Sequence, residues 1–397
     1  MLSNGRPYLA IPGPSVMPDR VLGAMHRASP NIYTGPLHEM THSLYPDLAA
    51  VARTAHQAAI YVGNGHAAWE AALSNVLSRG DTVLVLATGS FGIGWGAMAS
   101  GLGVGVETLD FGPAATVDLA QVEDRLRRDP EARIKAVLVC HVDTSSSVRN
   151  DVAALRGVLD RAGHPALLMV DCIASLACDP FEMDAWGVDV MVAACQKGLM
   201  TPPGLGLVFF TPRADVRRET ADCVTAHWDW RPRVKPAFYS NYFNGTAPTH
   251  HLYGLREALD MILAEGIEQV WARHAHLARA IWAAFDVWSQ VGPLRLNISD
   301  PGLRSHAVTA CVIGAPDGDR LRDWCERVCG VTLGIGLNRE PASAYFRIGH
   351  MGHVNAHMVL GVLAVIDAGL KALGIPHGRG AVEAAAAVVG TARIPQD

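Results

Sequence analysis

The sequence predicts an α/β fold, a mostly parallel sheet with helices on both faces, followed by a smaller C-terminal α+β unit. Short apolar β-rich runs alternate with helix-periodic segments, which calls for crossover connections between parallel strands. Turn signals such as Arg79-Gly80-Asp81 and Ala162-Gly163-His164 punctuate the joints. Beyond about residue 211 the alternation stops, and a different pattern of long helices and a second set of strands begins.

In order, buried strands are expected at 59–62, 82–87, 104–109, 134–141, 166–171, 188–194 and 205–210. Helices are expected between them at 67–77, 119–128 and 152–161. A polar, aromatic loop region follows, then helices at 252–264 and 268–287. The second unit carries apolar runs at 307–313 and 345–348, helical patterns at 319–328 and 355–370, and the Ala-rich helix 381–389. The expected organisation is an N-terminal arm (1–20), a large domain (21–290) and a small C-terminal domain (291–397).

The 397 residues suffice for a large core, which excludes a small stapled scaffold. With 33 Lys+Arg against 38 Asp+Glu there is no basic excess to release counterions, so neither nucleic acid nor an anionic membrane is an expected partner. Residues 1–13 lack the basic and apolar regions of a signal peptide, and no apolar stretch reaches bilayer-spanning length. The eight cysteines are scattered through apolar runs and read as reduced thiols of a cytoplasmic protein.

Ligands of an open parallel sheet lie beyond the carboxyl ends of its strands. The first run there ends in Gly63-Asn64-Gly65-His66-Ala67-Ala68 and enters a helix. Glycines permit close backbone approach and a helix N-terminus offers unpaired N–H groups, so the string fits a phosphate cradle. A plain strand-to-helix turn and a dinucleotide fingerprint fit it too. Asp171 ends a fully apolar strand, where a carboxylate calls for a cation or a cap. Lys197, in Cys195-Gln196-Lys197-Gly198, follows the next strand at the same sheet edge. A lone loop lysine is usually a solvated charge. Together, however, cradle, acid and lysine have the order needed to hold pyridoxal 5′-phosphate. The lysine would form a Schiff base, and the acid would pair with the protonated pyridine nitrogen that makes the ring an electron sink.

The sequence resembles the class V aminotransferases of fold type I, in particular the serine–glyoxylate and alanine–glyoxylate branch. The resemblance spans nearly the whole chain. It is carried by Pro12-Gly13-Pro14-Ser15, Gly63 to His66 with Trp69-Glu70-Ala71-Ala72-Leu73-Ser74-Asn75, and His141-Val142-Asp143-Thr144-Ser145. It continues through Val170-Asp171-Cys172-Ile173, Gln196-Lys197-Gly198-Leu199-Met200-Thr201-Pro202-Pro203-Gly204, Leu252-Tyr253-Gly254-Leu255-Arg256 and Phe346-Arg347-Ile348-Gly349-His350.

The resemblance implies that Lys197 is the Schiff-base lysine and proton carrier and that Asp171 is the pyridinium partner. It implies phosphate contacts from Gly65, His66 and Gln196, and a contact from Thr144 to the phenolic oxygen. Phe91 and Ile173 would cover the two ring faces. For Phe91, a purely structural role at a helix start competes with that reading. Arg347 would grip the substrate carboxylate with its planar fork. Thr246 would contact the phosphate of a neighbouring subunit, which implies a homodimer with shared sites.

Departures from the family pattern fall mainly around the substrate. His66 replaces a common Thr, Phe243 a common Tyr, and Ser145-Ser146-Ser147-Val148 a run that often ends in Gly. Residues 31–36 lack the His-Arg dipeptide of the serine–glyoxylate enzymes, and Arg339 lies in an altered loop. His350 and His353, with Cys325 and Cys329, do not have the spacing of a metal site, and none is expected. The expected activity is ping-pong transfer of an amino group from a small serine- or alanine-type amino acid to the 2-oxo acid glyoxylate or pyruvate. The alternatives are transamination of pyridoxamine or an aminophosphonate with pyruvate, an NAD-dependent oxidoreductase, and a catalytically silent binding protein.

Overall fold

A computed structural model describes residues 2–392. In chain order its strands are β1 (Tyr8–Ala10), β2 (Gln57–Gly63), β3 (Thr82–Ala87), β4 (Gly105–Asp110), β5 (Ile134–Cys140) and β6 (Leu167–Asp171). They continue with β7 (Val190–Ala194), β8 (Gly204–Phe210), β9 (Arg295–Leu296), β10 (Val308–Val312), β11 (Val331–Ile335) and β12 (Tyr345–Gly349). The large sheet has the order β2-β8-β7-β6-β5-β3-β4, with β7, β6, β5, β3 and β4 joined in parallel. β6 and β7 are buried at every position, as strands covered on both faces must be.

One strand departs from the parallel direction. β8 is antiparallel to both β7 and β2, so it alone runs against the other six. The connection from β7 to β8, residues 195–203, is too short for a crossover and makes a hairpin-like return. That return carries Lys197.

Two long helices add to those read from periodicity. Pro36–Ala52 contains Pro46 yet buries Leu37, Thr41, Leu44, Leu48 and Val51 on one face. Ser90–Gly101 is rich in glycine, which masks it in the sequence. Apolar clusters fill both faces of the large sheet. A separate core packs the second half of the helix Ile267–Trp288, from Leu277 to Trp288, against β10–β12 and the helices Ala356–Ala372 and Ala381–Val389.

The small sheet has the order β1-β11-β12-β10-β9, so the first strand of the chain joins it, parallel to β11. From there the backbone crosses to the lysine loop, where Ser15 N donates to Gln196 O (2.9 Å) and Ser15 Oγ to Lys197 O (2.7 Å).

Candidate active site

The carboxyl ends of β2, β3, β5, β6 and β7 share one edge of the large sheet, and the segments that leave them surround a cavity of about 290 Å3. Eight of the ten residues expected from the sequence line it: Gly65, His66, Phe91, Thr144, Asp171, Ile173, Gln196 and Lys197. Arg347 and Thr246 do not. A larger cleft of about 910 Å3, near Arg231 and Phe238, contains none of the ten.

Asp171 closes β6 and is buried. Its Oδ1 accepts the Ile173 N–H at 2.6 Å and its Oδ2 the Trp69 indole N–H at 2.9 Å. Burial nevertheless pushes the carboxyl up to about 7, because desolvation penalises the charge more than these donors favour it. Lys197 shows the opposite shift. Burial, aided by the Arg347 charge, lowers its amine to about 8, while Asp171 opposes the drop. The amine donates to the Pro12 carbonyl, so the N-terminal segment lies directly on the lysine. At Gly13, with φ near +102°, a Cβ would stand 2.6 Å from Lys197 Cδ and Nζ. Only glycine fits there.

The strand-to-helix turn after β2 lines the cavity and carries its own side-chain cap. Asn64 caps the helix Gly65–Val76, its Oδ1 accepting from His66 N (3.0 Å) and Ala67 N (3.4 Å). The His66 amide expected to face a phosphate therefore already has a partner. Gly65 lets Ile173 press close, since a Cβ there would meet Ile173 Cδ1 at 2.4 Å. Phe91 opens the helix Ser90–Gly101, and its N–H donates to Asp143 Oδ2 at 2.9 Å. It lines the cavity and lies in the first turn of a helix.

Arg347 sits in β12, paired with Ala310 of β10 and Gly334 of β11. Its Nε donates to Ile335 O (2.8 Å) and its Nη1 to Thr144 O (3.0 Å), and burial lowers it to about 10. Nη2 has no hydrogen-bond partner among the described residues. Two backbone anchors thus fix the guanidinium plane and leave one corner of the fork free. Thr246 is exposed on the loop before the helix Thr249–Glu265. Among the described residues no group of three or more His, Cys, Asp or Glu is placed to hold a metal.

The residues present fit pyridoxal phosphate on observations independent of family. The cavity is near the lower end of ligand-pocket volumes, and among the described residues Asp171 is the only carboxylate that lines it. The buried Gln196 Oε1 has no hydrogen-bond partner, and a desolvated lysine stands across from the acid. The family profile described as aminotransferase class-V matches residues 7–338. The chain belongs to the class-V aminotransferases. It is 34% identical over 397 residues to a serine–glyoxylate aminotransferase of Arabidopsis thaliana, covering 100% of this chain and 98% of that one. It is 34% identical to an L-aspartate–glyoxylate aminotransferase of Paracoccus denitrificans, covering 95% and 94%. The structure of a pyridoxamine–pyruvate aminotransferase from Mesorhizobium loti matches with a TM-score of 0.87 at 25% identity, over 97% of this chain and 98% of that one.

As a member of this family the chain is a pyridoxal-phosphate-dependent transaminase of fold type I. No helix among the described residues is long and apolar enough to cross a membrane. Sequence reasoning missed Asn64, Trp69 and Pro12-Gly13 as parts of the site. Asn64 had a signal, a capping residue just before an apolar-periodic run. Trp69 and Pro12 had only their place in the family strings.

Proposed function

We propose that this transaminase moves the amino group of a small amino acid, of the serine or alanine type, to glyoxylate or pyruvate, acting as a cytoplasmic homodimer. The observation that carries the reading is the convergence of Lys197, Asp171 and the Gly65-His66 cradle on one cavity. Arg347 is held beside it through the Thr144 carbonyl. Bound pyridoxal phosphate supplies a carbonyl that condenses with amines and a ring that accepts the electrons left by proton removal.

The chain's own residues do the rest. Asp171 holds a proton on the ring nitrogen. Lys197, whose amine burial lowers to about 8, can take a proton from the substrate Cα. Nη2 of Arg347 meets the substrate carboxylate and orients that Cα–H bond. One anchored guanidinium suits monocarboxylic partners. Thr246, exposed in the single chain, is assigned to the partner's phosphate.

Pyridoxamine and aminophosphonate donors with pyruvate form the second reading. It is favoured by the missing His-Arg dipeptide at 31–36 and by the similarity to the pyridoxamine–pyruvate enzyme. Reconstitution should give a visible absorption band that borohydride abolishes, adding mass at Lys197. A donor panel then identifies the substrate by loss of that band, and a protein that stays colourless with the cofactor refutes the assignment.

A further inference from the structure

Trp69 lies one turn into the cradle helix, 1% exposed, and touches three parts of the site at once. Its ring meets His66 edge-on at 4.6 Å and Phe91 edge-on at 6.1 Å, and its Nε1 donates to Asp171 Oδ2 at 2.9 Å. Trp228, Trp230 and Trp288 also donate to carboxylates, of Glu70, Asp215 and Asp367, but such a partner is not obligatory for an indole here. Trp95, stacked on Trp69 at 6.0 Å, buries its Nε1 without one, and so do Trp271 and Trp282. What sets the Trp69 donor apart is its target, which among the described residues is the one carboxylate that lines the cavity. The second oxygen of that carboxylate is held by the Ile173 N–H, the Cys140 thiol lies 3.8 Å from Oδ2, and the charged groups acting on the carboxylate are Asp143 and Lys197.

We propose that Trp69 is a positioning residue that keeps the Asp171 carboxylate ionised and aimed, and thereby keeps the proton on the ring nitrogen of the bound cofactor. The inference rests on the reading of Asp171 as the ring-nitrogen partner. The physical reason is an asymmetry between charge states. An N–H donor stabilises a carboxylate and does much less for a protonated carboxyl oxygen. Burial and the nearby Asp143 charge favour a proton on Asp171 itself, and the indole works against them together with the Ile173 N–H and the Lys197 charge. A hydrogen bond to a charged group shifts an equilibrium about tenfold to a hundredfold. Removing the indole donor therefore moves the proton towards Asp171 by that factor.

The test uses holoenzyme carrying pyridoxal phosphate labelled with nitrogen-15 in the ring. Wild type, Trp69→Phe, a variant with 3-benzothienylalanine at position 69, and Trp95→Phe are compared by the ring-nitrogen NMR shift and by pH titration of the visible band. Benzothienylalanine keeps the bicyclic shape and lacks the donor, so it separates the hydrogen bond from packing if Trp69→Phe folds poorly. Both position-69 variants should move the ring signal from pyridinium towards neutral pyridine. Both should also raise the pH midpoint of the band. A neutral ring withdraws less density, so the nitrogen joined to Lys197 holds its proton longer. Trp95→Phe should leave both readouts in place.

An unmoved ring signal and midpoint in the position-69 variants, with a normal wild-type band, overturn this inference alone. An equal shift in Trp95→Phe also overturns it, because packing would then suffice. A wild-type protein without a visible band overturns the reading of the site itself.

Discussion

Replacing Asp171 with Asn should stabilise the cofactor-free protein at neutral pH while destroying its capacity to keep the cofactor. The carboxyl is raised from its ordinary 3.8 to about 7 by burial. Its folded form therefore holds a proton that the unfolded chain gives up between those two values. Stability attributed to this group is fully present below about pH 4 and is lost as pH rises to about 7. At about 1.4 kcal/mol per unit, the full loss is about 4 kcal/mol, of which roughly 2–3 kcal/mol falls between pH 5 and pH 8.

Asn carries no charge and escapes that loss, but its single carbonyl oxygen cannot serve both Ile173 N–H and Trp69 Nε1–H as the carboxylate does. One donor left unpaired costs about 1–3 kcal/mol at every pH. The pH-dependent part decides the test because the hydrogen-bond cost cancels. Urea unfolding of the two cofactor-free proteins at pH 5 and pH 8, at fixed protein concentration, should show the variant gaining roughly 2–3 kcal/mol on wild type across that interval. A difference that is the same at both pH values would refute the picture of a buried, reluctantly ionised acid. Above pH 7 the variant should also fail to hold the cofactor. Breaking one side of a buried ion pair costs about 3–5 kcal/mol, so a hundredfold or greater rise in dissociation constant is expected by fluorescence titration.

Gly13→Ala should slow cofactor capture. The non-glycine residue at φ near +102° costs about 1–3 kcal/mol, and the new Cβ displaces the Lys197 amine from the Pro12 carbonyl; stopped-flow appearance of the visible band reads the effect. Arg347→Lys should raise KM for both amino donor and 2-oxo acceptor about tenfold to a hundredfold and leave the cofactor spectrum unchanged, since the ammonium cannot keep both backbone anchors and the carboxylate. Asn64→Ala removes a helix cap and should cost the cofactor-free protein about 1 kcal/mol, yet it frees the His66 and Ala67 amides and should tighten binding of inorganic phosphate by calorimetry. The gain in melting temperature on cofactor binding should peak between pH 7 and pH 8, with smaller gains in scans at pH 5 and pH 10.

The chemistry-bearing residues of this site were readable because a parallel sheet brings the ends of successive strands to one edge. Chain order alone then puts Gly65, Asp171 and Lys197 together. The reversal of β8 was not readable, since an apolar run looks the same in either direction. Nor was the pairing of Tyr8–Ala10 with Val331–Leu333, a three-residue contact between chain segments with no local pattern to join them. Trp69 falls on the apolar side of a helix, where periodicity marks it as core and says nothing of its N–H. Arg347 was identifiable by family string, but its two backbone anchors depend on packing between β12, β11 and the Thr144 loop.

The pH window for cofactor stabilisation follows from two shifts of opposite sense. Asp171 is disfavoured in its charged state above about 7, and Lys197 in its charged state below about 8. Between those values the cofactor-free fold carries both penalties together. Below that window the acid's cost declines and is gone near pH 4, where the unfolded chain is protonated too, and above it the amine's cost declines as pH approaches 10.5. A ring nitrogen bearing a proton compensates the first charge, and a carbonyl that condenses with the amine removes the second. The same burial that weakens the empty protein thus gives one small molecule two reasons to bind. A residue that tunes only one of the two, as Trp69 does through Asp171, alters the lower edge of the window and leaves the upper edge where Lys197 sets it.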